Sequence, residues 1–340
     1  MIVVKGGLGK GLIVTFAQLQ SFVTVARLGS VKGAAAELGV SEAAVSESMG
    51  ALRRDLGDAL YRRAGNGLVL TPGGQRLAGA AAEILGLADQ ARRAVAEAQG
   101  AAALLRVAVT PPISEYVAGP LLEAFTRRMP DVEVVVRVEP PRALAGVLGG
   151  RLADVALGPR PAAEAGAALE SKPFLRYRRV VVAGPRHRLA EGRGLPAPAL
   201  AGEPWLVGPA GAEEGTDVGR FLAAHRMAPE EVRVFGSEAA ALAAAAAGEG
   251  VVLAVAHAVL EDLRRARLVR LDVRGTPADG LWHAGALPPD RRTGVAAALW
   301  RFLSMPEALQ AVLSGRGGAP AERVRPAFYT TLWSQDEAGE

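Results

Sequence analysis

One segment of this chain, residues 16–76, constrains the fold more than any other. Apolar residues recur there every three or four positions, which predicts an amphipathic first helix; they are Phe16, Leu19, Phe22, Val23 and Ala26. Gly29 then ends this helix, and Ser30 can cap a second one. The second helix carries three consecutive alanines, at 34–36. Because such small side chains let another backbone approach closely, we predict short helices packed against each other.

A third helix is predicted after the turn at Gly39, with Ser41 as its cap. The helical spacing indicates a buried stripe made of Val45, Met49, Leu52 and Leu56. The opposite, exposed face would carry Glu42, Ala43, Ser46, Glu47 and Gly50. In a helix-turn-helix protein this helix enters the major groove of DNA, so we expect these five residues to meet base edges.

A β-hairpin is predicted next, with two short strands around an Asn-Gly bend at Asn66. The three helices and this hairpin together form the pattern of a winged helix-turn-helix, which reads duplex DNA. Arg62 and Arg63 at the base of the wing are candidates for phosphate contacts, which supply affinity but no sequence preference. The alternative is that both are ordinary solvated arginines. The remaining candidate DNA contacts are Ser30, Lys32, Ser41, Arg53 and Arg54.

This segment resembles the N-terminal signature of the LysR-type transcriptional regulators. The resemblance is carried by Ala34-Ala35, Leu38, Val40-Ser41, Ala44-Val45-Ser46, Leu52, Leu56-Gly57, Leu60-Tyr61, Arg63 and Leu70-Thr71-Pro72. It implies sequence-specific binding to an interrupted inverted repeat in double-stranded DNA. Transcription regulation, with RNA polymerase as a possible partner, would then be the function.

Two departures from the LysR signature fall on the predicted reading face. Glu42 and Glu47 stand where the family usually has glutamine and a basic residue. A carboxylate repels phosphates, but it can accept a hydrogen bond from the amino group of cytosine. Weakened binding and altered specificity therefore both stay open.

A long helix is predicted after Pro72, because residues 73–100 contain no proline and repeat apolar side chains on one stripe. The stripe consists of Leu77, Ala81, Ile84, Ala88, Ala91, Val95 and Ala98. It needs a partner, which is either the same helix of a second chain or the helix's own domain. The family resemblance favours a homodimer through this linker helix, which often assembles further into a tetramer.

Beyond residue 104, predicted strands and helices alternate, which is typical of an α/β domain. The first series has strands at 104–110, 132–138 and 154–158 and helices at 116–129 and 142–151. The second has strands at 174–183, 204–208, 232–235 and 251–255 and helices at 217–225 and 238–248, before a strand at 281–286 and a helix at 292–303. Two lobes with a ligand cleft between them fit this order.

Residues 104–310 resemble the effector domains of LysR-type regulators, which are two-lobed and similar to periplasmic binding proteins. Short motifs place them nearest to regulators of carbon-fixation operons: Gly158-Pro159-Arg160-Pro161, Ser237-Glu238-Ala239, Ala247-Gly248-Glu249-Gly250 and Trp282. The resemblance implies allosteric control of DNA binding by a small molecule. A small-molecule-binding protein of the transport type, without a regulatory role, is the alternative.

Cleft residues are predicted where strands end and helices begin. The candidates are Thr110, Pro111, Ser114, Arg160, Gly211, Thr216 and Ser237. Hydroxyls, guanidinium groups and backbone N–H groups at helix N-termini favour an anionic effector, such as a carboxylate or a phosphorylated metabolite. The alternative is that Thr110, Ser114 and Ser237 only cap helices.

The sequence argues against an enzyme. The four histidines are widely spaced, and there is neither a nucleophile turn nor a carboxylate cluster, so we predict no catalytic residue, metal or cofactor. The absence of cysteine excludes disulfides and thiolate chemistry. A formal charge of +4 is only a mild basic bias.

The predicted organisation has five parts. Residues 1–15 form an N-terminal extension without an export signal, and translation is expected to start at Val14; the protein is therefore expected in the cytoplasm, away from membranes. A DNA-binding domain at 16–73, a linker helix at 74–102, an effector domain at 103–313 and a tail at 314–340 follow. The aromatic FYTTLW piece of the tail would pack as a strand or contact a partner.

Overall fold

The computed structural model describes residues 14–64, 67–161, 168–209, 211–213, 215–226 and 231–314. Within them the polypeptide divides into two compact units: the residues up to Ala101 together with Gly149–Leu152 form the first, and the rest form the second. The predictions for residues 1–13, for the bend at Gly65 and Asn66, and for the tail beyond residue 314 lie outside these ranges.

The first unit begins with three helices: α1 (Phe16–Leu28), α2 (Val31–Leu38) and α3 (Glu42–Leu56). Their starts are set by side chains that cap free backbone N–H groups. The Ser30 hydroxyl accepts from the N–H of Gly33, and the Ser41 hydroxyl accepts from the N–H of Ala44. Gly29 ends α1 at φ +62°, a left-handed conformation that favours glycine. The predicted helices and caps are therefore present.

A wing and a long helix complete the first unit. Strands β1 (Tyr61–Ala64) and β2 (Gly67–Leu70) pair antiparallel, and α4 (Pro72–Ala98) begins at a proline and is capped by Thr71. The three helices and the wing share one core that includes Phe22, Val25, Ala34, Ala35, Val45, Met49, Leu52 and Leu60. This is the predicted winged helix-turn-helix.

Helix α4 runs for 27 residues and presents apolar side chains to solvent. Ile84, Leu87 and Val95 are 46%, 52% and 60% exposed. Such residues are normally covered in a folded protein. Their exposure keeps the prediction of a paired helix open.

The second unit is built on one mixed sheet, ordered β4-β3-β5-β11-β6-β9-β7-β8, with β10 paired to β6. The first lobe contains β3 (Ala103–Val109), which is parallel to β4 (Val132–Val138) and β5 (Val155–Gly158). The second contains β7 (Trp205–Val207), β8 (Val232–Val234), β9 (Val251–Val255) and β10 (Val269–Arg270). The long antiparallel strands β6 (Glu170–Ala183) and β11 (Ala278–Ala286) join the two lobes.

Helices cover both lobes. In the first are α5 (Pro111–Ile113), a π-helical turn (Ser114–Ala118), α6 (Gly119–Arg128), α7 (Leu144–Gly149), α11 (Gly294–Phe302) and α12 (Pro306–Ser314). In the second are α8 (Asp217–Ala224), α9 (Glu238–Ala246) and α10 (Leu260–Arg264). Each lobe has its own core, and Tyr177 stacks on Trp282 with ring centroids 4.1 Å apart where β6 meets β11.

Among the boundaries that differ from the sequence prediction, two have a clear physical reason. The helical segment starts at Pro111 rather than at residue 116, because prolines are tolerated in a first turn, where their missing N–H is not needed. Strand β6 starts at Glu170 rather than at residue 174. It accommodates Pro173 opposite His283, where the register shifts at a bulge.

Candidate nucleic-acid interface and ligand cleft

Helix α3 has one buried face and one exposed face. Val45, Met49 and Leu52 are buried in the core of the first unit. The opposite face exposes the predicted reading residues Glu42, Ala43, Ser46 and Glu47, while Gly50 is half-buried. The helix therefore presents two carboxylates, those of Glu42 and Glu47, on its exposed face.

The predicted phosphate contacts divide into exposed and internally engaged residues. Lys32, Arg54 and Arg62 are exposed, and the side chain of Arg63 lies outside the described part of the chain. Arg53 instead holds the domain together. Its Nε donates to the Ala59 carbonyl at 2.6 Å, and its guanidinium lies 4.1 Å from the centre of the Tyr61 ring. It thus ties α3 to β1, a role that the sequence did not reveal.

A carboxylate fixes the chain between α3 and the wing. Asp58 accepts the Leu60 N–H at 2.6 Å and the Thr71 hydroxyl at 2.8 Å. The hydrogen bond from Leu60, and then that from Thr71, hold the pKa of Asp58 below its usual value. Since Thr71 also caps α4, Asp58 links the entry of the wing to the start of that helix.

The second unit has a cleft at the junction of its lobes. Four of the predicted effector residues line it: Thr110, Pro111, Gly211 and Thr216. Tyr177, Arg179 and Trp282 from β6 and β11 line it as well, together with Asp217 and Glu238 at the starts of α8 and α9. The strand ends and helix starts thus meet as predicted, but the charged residues among them were missed.

Arg179 is the central charge of this cleft. Its side chain is 5% exposed, and its Nη1 donates to the Leu253 carbonyl at 3.1 Å. Its Nε lies 3.7 Å from Asp217 Oδ2, and its Nη2 lies 4.0 Å from Glu238 Oε1. A buried guanidinium requires partners, but β6 also carries Arg176 and Arg178, so the sequence did not single out Arg179 as the buried arginine.

Burial perturbs the acids around Arg179. Burial raises the pKa of Glu238, and the nearby carboxylates of Glu115 and Asp217 raise it further, although Arg179 opposes the shift. Burial likewise raises the pKa of Asp217, opposed by Arg220. The inner cleft therefore concentrates more negative than positive groups in a desolvated space.

A larger, basic cavity adjoins the cleft and shares Pro159 and Asp217 with it. It has a volume of about 500 Å³ and is lined by Arg160, Arg176 and Arg220, with Asp279 and His283. Burial lowers the pKa of His283, and Arg160 lowers it further. Arg160 was predicted as an effector contact, whereas Arg176 and Arg220 were not.

Two predicted effector residues do not line either cavity. Ser114 starts the π-helical turn, and Ser237 caps α9 by accepting the Ala240 N–H at 3.0 Å. For Ser237 the capping alternative is therefore the one observed. Thr110 makes no such cap and is instead buried beside the cleft.

At the start of α9, two backbone N–H groups that the sequence suggested as ligand donors are engaged within the protein. Glu115 from the first lobe accepts the N–H groups of Glu238 and Ala239, each at 2.9 Å. At α8, the Thr216 hydroxyl accepts the N–H of Gly219 at 2.9 Å. These helix starts are already occupied by oxygen atoms of the protein itself.

A winged helix-turn-helix followed by a two-lobed binding domain defines the class of DNA-binding regulators that respond to small molecules. Family models agree with this over most of the chain. Residues 16–75 match the bacterial regulatory helix-turn-helix protein of the lysR family, and residues 98–305 match the LysR substrate binding domain. The chain belongs to the LysR family of transcriptional regulators.

Individual relatives support this assignment. The uncharacterized HTH-type transcriptional regulator Rv0377 of Mycobacterium tuberculosis is 38% identical over 94% of this chain and 100% of its own length. CfxR of Cupriavidus necator is 33% identical over 82% of this chain and 87% of its own. A full-length OxyR variant from Pseudomonas aeruginosa shares the fold, with a TM-score of 0.56 at 19% identity over 86% of this chain and 98% of that one.

The protein is therefore a DNA-binding transcriptional regulator with an effector-binding domain, not an enzyme. The transport-type alternative is not favoured, because the matched relatives are regulators and the helix-turn-helix is present. Within the described ranges, no cluster of three acidic or histidine side chains is arranged to hold a metal ion. No helix in those ranges is both long and apolar enough to cross a membrane.

Proposed function

We propose that this LysR-type regulator responds to a small anionic effector bound in the basic cavity. The observation that carries the proposal is the convergence of Arg160, Arg176 and Arg220 on one cavity of about 500 Å³. This volume suits a small metabolite. Guanidinium groups bind carboxylates and phosphates through paired, charge-assisted hydrogen bonds.

The position of the cavity supports coupling to the arrangement of the lobes. Arg160 follows β5 in the first lobe, Arg220 lies on α8 in the second, and Arg176 lies on the connecting strand β6. An anion that contacts all three favours the lobe arrangement that brings them together. The anion then binds this arrangement of the lobes more tightly than any other, and such a difference in affinity is what shifts the equilibrium between two arrangements.

Replacing Arg160 with alanine is expected to abolish the response to an anionic effector while leaving DNA binding intact. The test is binding to the protein's own upstream DNA, titrated with a panel of carboxylated and phosphorylated metabolites. Arg186→Ala is a matched control, because Arg186 is exposed and is not among the residues lining the cavity. A full response by Arg160→Ala would remove Arg160 from the effector site.

We further propose that the protein acts in the cytoplasm as a homodimer, and in larger assemblies as a tetramer. Helix α4 would pair with its counterpart through the predicted apolar stripe, of which Ile84 and Val95 are exposed, with the exposed Leu87 beside it. This assigns residues 16–73 to DNA binding, 74–102 to dimerisation and 103–313 to effector binding. A twofold dimer matches an interrupted inverted repeat, and DNA-bound dimers would be placed to contact RNA polymerase.

The reading face would be formed by Glu42, Ala43, Ser46 and Glu47, with phosphate contacts from Lys32, Arg54 and Arg62. The exposure of all seven side chains supports this assignment. Ser30, Ser41 and Arg53 would position the helices, because their side chains are engaged within the domain.

Glu47→Arg is expected to tighten non-specific DNA binding and to steepen its salt dependence by about one released counterion, because a repelling carboxylate becomes a phosphate-binding guanidinium. The measurement is the slope of log affinity against log salt on an unrelated duplex. Glu97→Arg, with the same charge change at the exposed end of α4, is the control. Identical slopes for Glu47→Arg and the wild type would refute the placement of Glu47 at the DNA surface.

A further inference from the structure

Three carboxylates from the two lobes of the second unit meet around one buried arginine. Glu115 lies in the π-helical turn of the first lobe, whereas Asp217 and Glu238 begin α8 and α9 in the second. The side chain of Arg179, on the connecting strand β6, is 5% exposed and lies 3.7 Å from Asp217 and 4.0 Å from Glu238. These three acids outnumber the buried cation at the place where the lobes meet.

Glu238 has less compensation for its charge than Asp217. Both acids share Arg179, but Asp217 also forms an ion pair with Arg220. The side chain of Glu238 is 14% exposed, against 23% for Asp217, so water screens its charge less. Glu238 is therefore the acid at this junction that gains most from a proton.

Contact between the lobes places a further negative charge beside Glu238. The two oxygen atoms of Glu115 accept the backbone N–H groups of Glu238 and Ala239, each at 2.9 Å. Tyr116 of the same turn interacts with Arg179, and Gly208, which lies against Glu238 at the end of β7, adds no charge. The charge of Glu238 is thus opposed most strongly while Glu115 is in place.

Separation of the lobes changes these surroundings in one direction. Burial raises the pKa of Glu238; Arg179 opposes this rise, and Glu115 and Asp217 add to it. Arg179 and Asp217 stay with Glu238 in the second lobe, because Arg179 donates to the Leu253 carbonyl of β9 and Asp217 begins α8. Separation therefore removes Glu115 and admits water, and both changes lower the pKa of Glu238.

We propose that contact between the two lobes is coupled to proton uptake by Glu238, which makes the lobe junction a pH-sensitive switch. A protonated Glu238 no longer repels Glu115, so low pH stabilises the contact. This stabilisation is lost as the pH rises through the pKa that Glu238 has when the lobes touch, because the carboxylate is then charged again. Acidification thus acts on the arrangement of the lobes without any effector.

The test is hydrogen exchange of the α9 amides in the effector-free, full-length protein between about pH 8 and about pH 5, corrected for the intrinsic rate. Exchange at Glu238 and Ala239 reports contact between the lobes, since Glu115 accepts both N–H groups. Their protection is expected to rise roughly ten-fold towards the lower pH. In Glu238→Gln, which keeps the shape of the side chain but cannot titrate, it is expected to stay constant. Glu249→Gln is the matched control, because Glu249 is an exposed glutamate just beyond α9, and the buried β9 amides report global unfolding.

Protection of these two amides that does not vary with pH in the wild type, or that still varies in Glu238→Gln, would overturn the proposal. Titration of the Glu238 carboxyl group by carbon-13 NMR supplies a second readout, with its resonance identified by its absence from Glu238→Gln. This resonance is expected to titrate at a higher pH in the wild type than in Glu115→Gln. Equal midpoints would also overturn the proposal, because they would show that the first lobe does not influence the proton.

Discussion

Gly74→Ala is expected to abolish DNA binding by destabilising the winged helix-turn-helix. Gly74 lies in the first turn of α4, against the backbone of Leu60. An added Cβ would lie 1.9 Å from the Leu60 carbonyl oxygen and 2.8 Å from its carbonyl carbon. Relief requires the backbone of Leu60 to move, yet Asp58 holds that segment by two hydrogen bonds. We expect a loss of about 3 kcal/mol or more, a large fraction of the stability of a small domain.

Gly79→Ala is the matched control for this prediction. Gly79 lies in the same helix, but among the described residues no atom outside the helix backbone lies within 4 Å of the place that an added Cβ would take. Alanine there is expected to stabilise the helix by about 1 kcal/mol. Thermal unfolding and DNA binding of both variants are the measurements. Wild-type unfolding and affinity for Gly74→Ala would show that the Leu60 contact does not constrain the domain.

Arg179→Met is expected to cause the largest loss of stability in the second unit, roughly 3–5 kcal/mol, because it leaves the buried Glu238 carboxylate without its cation and leaves Asp217 with Arg220 alone. Asp217 and Glu238 would then face each other in the desolvated cleft. The pKa values of both are already raised by burial, so their charged forms oppose folding. Because the folded-state pKa of an acid is raised, the cost of burying its charged carboxylate is present at neutral pH. This cost fades as the pH falls through the folded-state pKa, since the carboxylate becomes protonated. The variant should therefore lose less stability at about pH 5 than at about pH 7.5.

Arg178→Met supplies the control for Arg179. Arg178 is the neighbour of Arg179 on β6 and forms a partly exposed bridge to Asp279, at 3.0 Å. Surface bridges contribute about 1 kcal/mol or less, so this variant should unfold nearly as the wild type does. Urea unfolding of both at two pH values is the measurement. Equal losses for the two variants, or a loss at Arg179 that does not depend on pH, would contradict the account of the cleft.

The sequence predicted those helices and strands that are specified by patterns within a few neighbouring residues. Helical periodicity, capping residues such as Ser30 and Ser41, and the Asn-Gly bend each act within a few residues, so α1 to α4 and the wing were predicted. The alternation of strands and helices predicted most of the second unit. The short helices α10 and α12 were missed, because neither has a distinctive pattern. The early start of β6 depends on a bulge opposite another strand.

The sequence predicted only those cleft residues whose place follows from lying at the end of a strand or the start of a helix. Thr110, Pro111, Gly211 and Thr216 line the cleft because strand ends and helix starts converge there. The charged network could not be predicted, since Glu115 and α9 are distant in the chain and meet only in the folded domain. Arg53 shows the reverse case, because a predicted DNA contact is engaged with Ala59 and Tyr61. Side-chain partners across long sequence separations are set by tertiary packing, which no local pattern reports.

A salt titration of DNA binding tests the central claim most directly. The purified protein is titrated onto a labelled fragment of its own upstream region and onto an unrelated fragment of equal length. Sequence-specific reading by α3 predicts that preference for the upstream fragment persists near physiological ionic strength, about 0.15 M, where non-specific phosphate binding weakens. Equal and salt-sensitive binding to both fragments would contradict it, and would mean that Glu42 and Glu47 do not read bases.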